Sequence, residues 1–239
     1  MRQTQILKKE VIKGKNGLSI KRAIALSTIL MLAFYTITYA QMPSAAKLDQ
    51  FFDRLEIKNM AMGSVVLTQN GKVFYKKSFG FSNLGEIKSE PMTLNSKHRV
   101  GSINKMFTSV MILQLVEDGK LKLTDKLGDY FPEIPNSTKI TIRDVMAHRS
   151  GIHDITSNRD LRPERTKPIT KDEMVRIIAM GQPDFEPGSK FSYSNSGYFL
   201  LGYLIEKLTG KSYQEVLNER ISSRIGLINT YIGTGSIDP

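Results

Sequence analysis

A serine and a lysine three positions apart, Ser102 and Lys105, stand at the start of an apolar stretch of the chain. In a helix this spacing places both side chains on one face, with Cβ atoms about 5–6 Å apart. A desolvated lysine amine can take the serine proton, and the free N–H groups of a helix N-terminus favour an oxyanion. The motif predicts Ser102 as a nucleophile. The alternative is that Ser102 only caps its helix, since the same spacing recurs at Ser44 and Lys47 and short motifs arise by chance.

A second motif, Tyr193-Ser194-Asn195, is the only Tyr-x-Asn among the nine tyrosines of the chain. A lysine ammonium favours the phenolate form of a nearby tyrosine, so Tyr193 can relay protons. The Asn195 amide offers both a donor and an acceptor to a substrate amide. The alternative is an Asn cap beside a packed Tyr, but two motifs in this order arise together by chance less easily than one.

The elements that must position these residues follow from turn and capping signals. Residues 102–118 form a predicted helix that ends at Gly119, and apolar residues surround its axis, which predicts burial on all sides. A hairpin is predicted from residues 63–68 and 72–76 around Asn70-Gly71. Further helices are predicted at 45–55, at 171–180 after Thr170-x-x-Glu173, at 196–208, and at 213–221 after Ser212-x-x-Glu215.

The N-terminus reads as an export signal. Residues 1–40 hold seven Lys or Arg and one acidic residue, and residues 23–40 are mostly apolar. This pattern predicts a signal peptide with a mature domain over residues 41–239, or an uncleaved anchor that associates with the membrane through residues 23–40. Both place the domain outside the cytoplasm, in the periplasm or secreted. Six of the eleven net positive charges lie in this leader, so the charge does not predict nucleic-acid binding.

From about residue 63 to residue 231 the sequence resembles the class C β-lactamase, penicillin-binding-protein and D-alanyl-D-alanine carboxypeptidase-like family of serine hydrolases. Besides the two motifs, the resemblance is carried by four phrases: Arg99-Val100-Gly101, Ala147-His148-Arg149-Ser150-Gly151-Ile152, Glu186-Pro187-Gly188 and Leu200-Leu201-Gly202. It implies a β-lactamase/transpeptidase-like α/β (α+β) fold, with an antiparallel sheet lobe and a helical lobe over about residues 102–225.

The resemblance also implies a reaction. Ser102 would be acylated by a β-lactam, a D-amino-acid peptide or an ester, Lys105 and Tyr193 would share proton transfer, and Asn195 would hold the amide side chain of the substrate. We expect a small-molecule or peptide substrate and no cofactor. His148 would support its loop. His148 and His153 are separated by a turn at Ser150-Gly151, so we predict no metal site there.

One element of the family pattern is not found in this sequence. The family has a Lys-Thr-Gly or His-x-Gly on a later strand, whereas Gly233-Thr234-Gly235 lacks the preceding cation. In the family, the same strand supplies the second N–H group that binds the oxyanion. We therefore expect a domain that is truncated at its C-terminus, with later strands missing. We also expect weakened hydrolysis, because one oxyanion donor contributes about 10² to 10³ in rate. Two other readings stay open: a penicillin-recognising sensor in which Ser102 is acylated without turnover, and an inactive truncated homologue.

Overall fold

The computed structural model describes Ser27 and residues 43–84, 89–157 and 169–233. The chain falls into two compact units that divide between Ser96 and Lys97. The predicted leader at residues 1–40 lies outside the described residues except for Ser27. None of the helices in the described part of the chain has the length and apolar character of a membrane span.

Within residues 43–84 and 89–96, the first unit combines a helix with two small antiparallel sheets. Its helix α1 spans Ala45–Ile57, and β1 (Gly63–Gln69) pairs with β2 (Lys72–Phe79), as β3 (Phe81–Leu84) pairs with β4 (Ser89–Pro91). Asn70 and Gly71 have φ values of 51° and 74°, which is the left-handed conformation that a tight hairpin turn requires. The predicted hairpin is confirmed.

Helix α1 packs on β2 through aromatic and charged contacts. The Phe52 ring lies 6.0 Å from Tyr75 and 5.1 Å from Phe79, measured between ring centroids. At the edge of this contact, Lys77 Nζ donates to Asp49 at 3.2 Å and to Asp53 at 2.7 Å. The helix is thereby fixed to the strand by both burial and charge.

The second unit is helical. Its elements are a 3₁₀ turn at Gly101–Ile103, α2 (Asn104–Glu117), a 3₁₀ turn at Leu127–Asp129, α3 (Ile142–Met146), α4 (Lys171–Met180), α5 (Asn195–Thr209), α6 (Tyr213–Leu217), a π-helical turn at Asn218–Ser222 and α7 (Ser223–Ile225). The sequence signals at two helix starts and one helix end are confirmed. Thr170 Oγ1 accepts from Glu173 N, Ser212 and Glu215 form a reciprocal capping box, and Gly210 ends α5 at φ 69°.

The core of the second unit lies between α2 and α5. Leu200, Leu201, Leu204 and Ile205 of α5 are fully buried, and Met111, Ile112 and Leu115 of α2 are buried in the same cluster. The predicted burial of α2 on all sides is wrong, because Met106 is 68% exposed and Val110 and Leu113 are also exposed. Among the described elements, α2 contacts α5, α6 and the π-helical turn Asn218–Ser222, and its residues Met111, Ile112 and Leu115 belong to the buried cluster.

Candidate active site

Ser102 lies in the 3₁₀ turn Gly101–Ile103, two residues before α2 begins at Asn104. The turn begins at Gly101, whose φ of 53° is left-handed and therefore suits glycine. The positions that cap the turn and the helix are Val100 and Ile103, and neither makes a side-chain capping bond. Ser102 therefore does not act as a helix cap, and its hydroxyl is exposed for other contacts.

The second Ser-x-x-Lys motif behaves differently. Ser44 is the N-cap of α1, and its Oγ accepts from Lys47 N at 3.4 Å. Here the serine satisfies a free N–H group of its own helix, which is the ordinary structural use of the motif. The contrast between Ser44 and Ser102 separates a capping serine from a candidate nucleophile in one chain.

The side chains of Ser102, Lys105 and Tyr193 come together although the tyrosine lies 91 residues from the serine in sequence. Ser102 Oγ is 2.6 Å from Tyr193 Oη, and Lys105 Nζ donates to Ser102 Oγ at 3.4 Å. The ammonium also lies over two rings, 4.9 Å from the Tyr193 centroid and 5.4 Å from that of Tyr198. The two sequence motifs thus form one cluster in which a hydroxyl, a phenol and a cation share hydrogen bonds.

The environment of Tyr193 lowers the pKa of its phenol below the usual value of 10.0. Burial acts in the opposite direction and is the largest single effect, but the hydrogen bonds with Lys105 and Ser102, together with the ammonium charge, outweigh it. A lowered pKa raises the population of phenolate near neutral pH, and a phenolate 2.6 Å from a hydroxyl can take its proton.

Asn195 is the first residue of α5, and its side chain bridges Lys105 to a neighbouring turn. Its Oδ1 accepts from Lys105 Nζ at 2.8 Å, while its Nδ2 donates to Asp154 Oδ2 at 3.1 Å and to Thr156 Oγ1 at 2.9 Å. The structure therefore brings Asn195 to the predicted site. Its contacts are with the chain itself, and the predicted contact with a substrate amide stays a prediction.

His148 holds the segment that contains Tyr193. Its Nδ1 accepts from Ser194 N at 3.1 Å, its backbone carbonyl accepts from Ser192 N at 2.9 Å, and its ring centroid lies 4.5 Å from the Tyr193 ring. The backbone of His148 has φ 55°, an uncommon conformation for a residue with a side chain. His148 thus binds the residues on both sides of Tyr193, Ser192 and Ser194, and also contacts the Tyr193 ring.

The pKa of His148 is lowered by burial first and by the positive charge of Lys105 second, against a smaller opposite effect of Asp154. Because Nδ1 accepts a backbone N–H bond, the ring must be unprotonated at that nitrogen. The contacts of His148 are those of a supporting residue. Among the described residues, no cluster of three or more His, Cys, Asp or Glu could hold a metal ion.

Two residues of the site, Asp154 and Thr156, were not predicted. Neither residue belongs to the Ser-x-x-Lys or Tyr-x-Asn motif. Both follow the turn at Ser150-Gly151, where Gly151 has φ 74° and a Cβ atom would lie 2.1 Å from Phe185 O. Only glycine fits there, and this close approach fixes the path of the chain toward Asp154.

Residues 48–239 match the model of a protein family described as Beta-lactamase. Among curated proteins, the teichoic acid D-alanine hydrolase of Staphylococcus aureus is 29% identical over 189 residues, which cover 79% of this chain and 44% of that protein. The chain therefore spans less than half the length of this relative.

Solved structures give the same fold. The D-amino acid amidase from Ochrobactrum anthropi SV3 shares 25% identity at a TM-score of 0.67, over 80% of this chain and 53% of that one. The octameric penicillin-binding protein homologue from Pyrococcus abyssi shares 29% identity at a TM-score of 0.66, over 80% of this chain and 45% of that one. These likenesses confirm the α/β fold that the sequence predicts.

Proposed function

Since this chain belongs to the beta-lactamase family, we propose that it is a serine hydrolase that forms an acyl-enzyme on Ser102. The observation that carries the proposal is the 2.6 Å contact between Ser102 Oγ and Tyr193 Oη, with Lys105 Nζ 3.4 Å from the same oxygen. In this arrangement the nucleophile touches a base, and a cation stabilises the base in its charged form. Asn195 Oδ1 accepts from the same Nζ at 2.8 Å.

In the acylation step, the Tyr193 phenolate takes the proton of the Ser102 hydroxyl as Oγ bonds to the carbonyl carbon of the substrate. The C=O electron pair moves to oxygen and gives a tetrahedral oxyanion. When the pair returns, the bond to the leaving group breaks, and that group takes the proton from Tyr193 Oη. Lys105 Nζ, which lies over the Tyr193 ring at 4.9 Å, stabilises the phenolate at the start and the end of the step.

Deacylation reverses the roles. A water molecule gives its proton to the Tyr193 phenolate while its oxygen bonds to the acyl carbon. The bond between that carbon and Ser102 Oγ then breaks, and Oγ recovers the proton from Tyr193. The product leaves as a carboxylic acid, and the three side chains return to their starting state.

The substrates we propose are acyl donors with a D-amino acid as the acyl group, in an ester or amide. Support comes from relatives that are named as a teichoic acid D-alanine hydrolase and a D-amino acid amidase. We also propose that the domain works in the cell envelope, because residues 1–40 have the pattern of a signal peptide or an anchor. Protease added to cells whose outer layers have been made permeable tests this location. We expect the domain to be digested, and a domain that stays protected would contradict a place in the cell envelope.

Intact-mass labelling of the full chain tests the proposed nucleophile. A fluorophosphonate and a penicillin are each incubated with wild type, with Ser102→Ala and with Ser44→Ala, which removes the serine of the other Ser-x-x-Lys motif. We expect one adduct with each probe on the wild type and on Ser44→Ala, and none on Ser102→Ala. A folded wild type that forms no adduct would refute the proposal.

A turnover assay separates a hydrolase from a sensor. The full chain is incubated with the methyl esters of D-alanine and L-alanine, and the released amino acid is measured. Release from the D-ester that is lost in Ser102→Ala supports hydrolysis. A penicillin adduct that forms in a burst and never clears, with no release from either ester, would support the sensor reading instead.

A further inference from the structure

The turn at Asp154 and Thr156 makes contacts that the proposed reaction does not use. Thr156 Oγ1 donates to Asp154 Oδ1 at 2.9 Å, and Thr156 N donates to the same oxygen at 3.1 Å. Asp154 Oδ2 and Thr156 Oγ1 then both accept from Asn195 Nδ2. The Asn195 amide therefore has an acceptor for each of its two hydrogens.

This arrangement decides which end of the Asn195 amide faces Lys105. The oxygen and nitrogen ends of a carboxamide have nearly the same shape, so hydrogen-bond partners rather than packing set its orientation. A carboxylate can only accept, and the single hydroxyl hydrogen of Thr156 is already given to Asp154. Rotation of the Asn195 amide by 180° would place its oxygen against these two acceptors and its NH₂ group against the Lys105 ammonium, and both contacts would be unfavourable.

The turn is also held firmly against the start of α5. Ile155, between the two acceptors, is fully buried, and its N–H donates to Ser196 Oγ at 3.0 Å. Ser196 follows Asn195 directly, so the turn and the amide that it binds are joined at adjacent residues of the helix. A bond between two fixed elements loses little side-chain entropy when it forms.

We propose that Asp154 and Thr156 are positioning residues that orient the Asn195 amide so that its oxygen accepts from Lys105. The Lys105 ammonium is thereby held beside Ser102 and Tyr193. The inference rests on the proposed function of Ser102. It also changes the role that resemblance implies for Asn195, because both of its amide hydrogens are used within the chain. Asn195 then serves the lysine rather than the amide of a substrate.

The test uses variants of the full chain that keep the shape of the turn and change its hydrogen bonding. Asp154→Asn replaces an acceptor by a donor at one end of the group, and Thr156→Val removes the hydroxyl but keeps a branched side chain. Thr156→Ser keeps the hydroxyl and is the matched control. Thermal unfolding of each variant checks that the fold persists.

The rate of fluorophosphonate labelling is measured over a range of probe concentrations, which separates the maximal rate from probe binding. The probe has no amide group, so a slower reaction reports the state of Ser102 and not recognition of an amide. We expect the maximal rate to fall about 10- to 100-fold in Asp154→Asn and about 3- to 10-fold in Thr156→Val, as expected for hydrogen bonds that orient a charged group. Half-saturation stays unchanged, and Thr156→Ser stays within about twofold of wild type.

Equal maximal rates in wild type, Asp154→Asn and Thr156→Val would overturn the positioning role while leaving Ser102 as the nucleophile. If the wild type itself is not labelled, the proposed function fails, and nitrogen-15 spectra decide the inference separately. The inference is supported if the wild type shows two side-chain amide protons of Asn195 that exchange slowly. These signals should be absent in Asn195→Asp and should exchange fast in Asp154→Asn. Amide protons of Asn195 that exchange rapidly in the wild type would overturn it.

Discussion

Replacement of Tyr193 by phenylalanine removes one oxygen and little else. The ring contact with His148 at 4.5 Å and the Lys105 ammonium over the ring at 4.9 Å do not need the hydroxyl. Tyr193 is 42% exposed, so the loss of its hydroxyl leaves no buried group unpaired. We therefore expect the free energy of unfolding to change by no more than about 0.5 kcal/mol.

The rate of acylation should change far more. In the variant Lys105 Nζ still lies 3.4 Å from Ser102 Oγ, but it is bound more closely by Asn195 at 2.8 Å. A general base contributes about 10² to 10⁴ in rate, and the short contact at Ser102 places this loss near 10³, or about 4 kcal/mol.

The assay for Tyr193→Phe is the maximal rate of Ser102 labelling by a fluorophosphonate, followed by intact mass against time. The matched control is Tyr203→Phe, because Tyr203 belongs to the same helical unit and forms no part of the site. We expect the control to label at the wild-type rate. A fall of less than tenfold in Tyr193→Phe would refute the role of the phenol as the base.

Three further predictions follow from local geometry. The fold lowers the pKa of His148, so the stability that His148 contributes is present above its ordinary pKa of 6.5 and is lost as the pH falls through the lower pKa of the folded state. Urea unfolding measured against pH should show this dependence in the wild type and lack it in His148→Gln. Gly151→Ala should lower the free energy of unfolding by about 2–4 kcal/mol, because the new Cβ would collide with Phe185 O. Gly188→Ala is the control: its Cβ would meet nothing within 4 Å, so the loss should be about 1 kcal/mol. Equal losses in the two variants, measured by chemical denaturation, would contradict this prediction. Ser44→Ala should cost about 1 kcal/mol as a lost cap, and Ser102→Ala should leave thermal unfolding unchanged; a large loss in Ser102→Ala would show that it supports its helix.

Local signals predicted much of the fold. The Asn70-Gly71 turn gave the hairpin, and the serine and threonine caps gave the starts of α4 and α6, because each of these depends on bonds within a few residues. The predicted helix over 213–221 is present but changes after α6 into a π-helical turn, Asn218–Ser222. Nothing in the local sequence distinguishes these two hydrogen-bond patterns.

The residues of the candidate site could be selected from the sequence in part for the same reason. Ser102, Lys105 and Tyr193 stand in motifs whose spacing is local, so each could be recognised before its partners were known. Asp154 and Thr156 could not be, because their importance arises from a contact with Asn195 that lies 41 and 39 residues away in sequence. The exposure of one side of α2 likewise depends on which elements pack against it, and composition alone does not give that.

In the proposed function Ser102, and no other serine, receives the acyl group. Trypsin should cut after Arg99 and Lys105 and release a peptide of residues 100–105, in which Ser102 is the single serine. The full chain is treated with a penicillin, digested and analysed by mass spectrometry. We expect the mass of the penicillin to be added to this peptide. A penicillin adduct on any other peptide, with residues 100–105 unmodified, would contradict the proposed nucleophile.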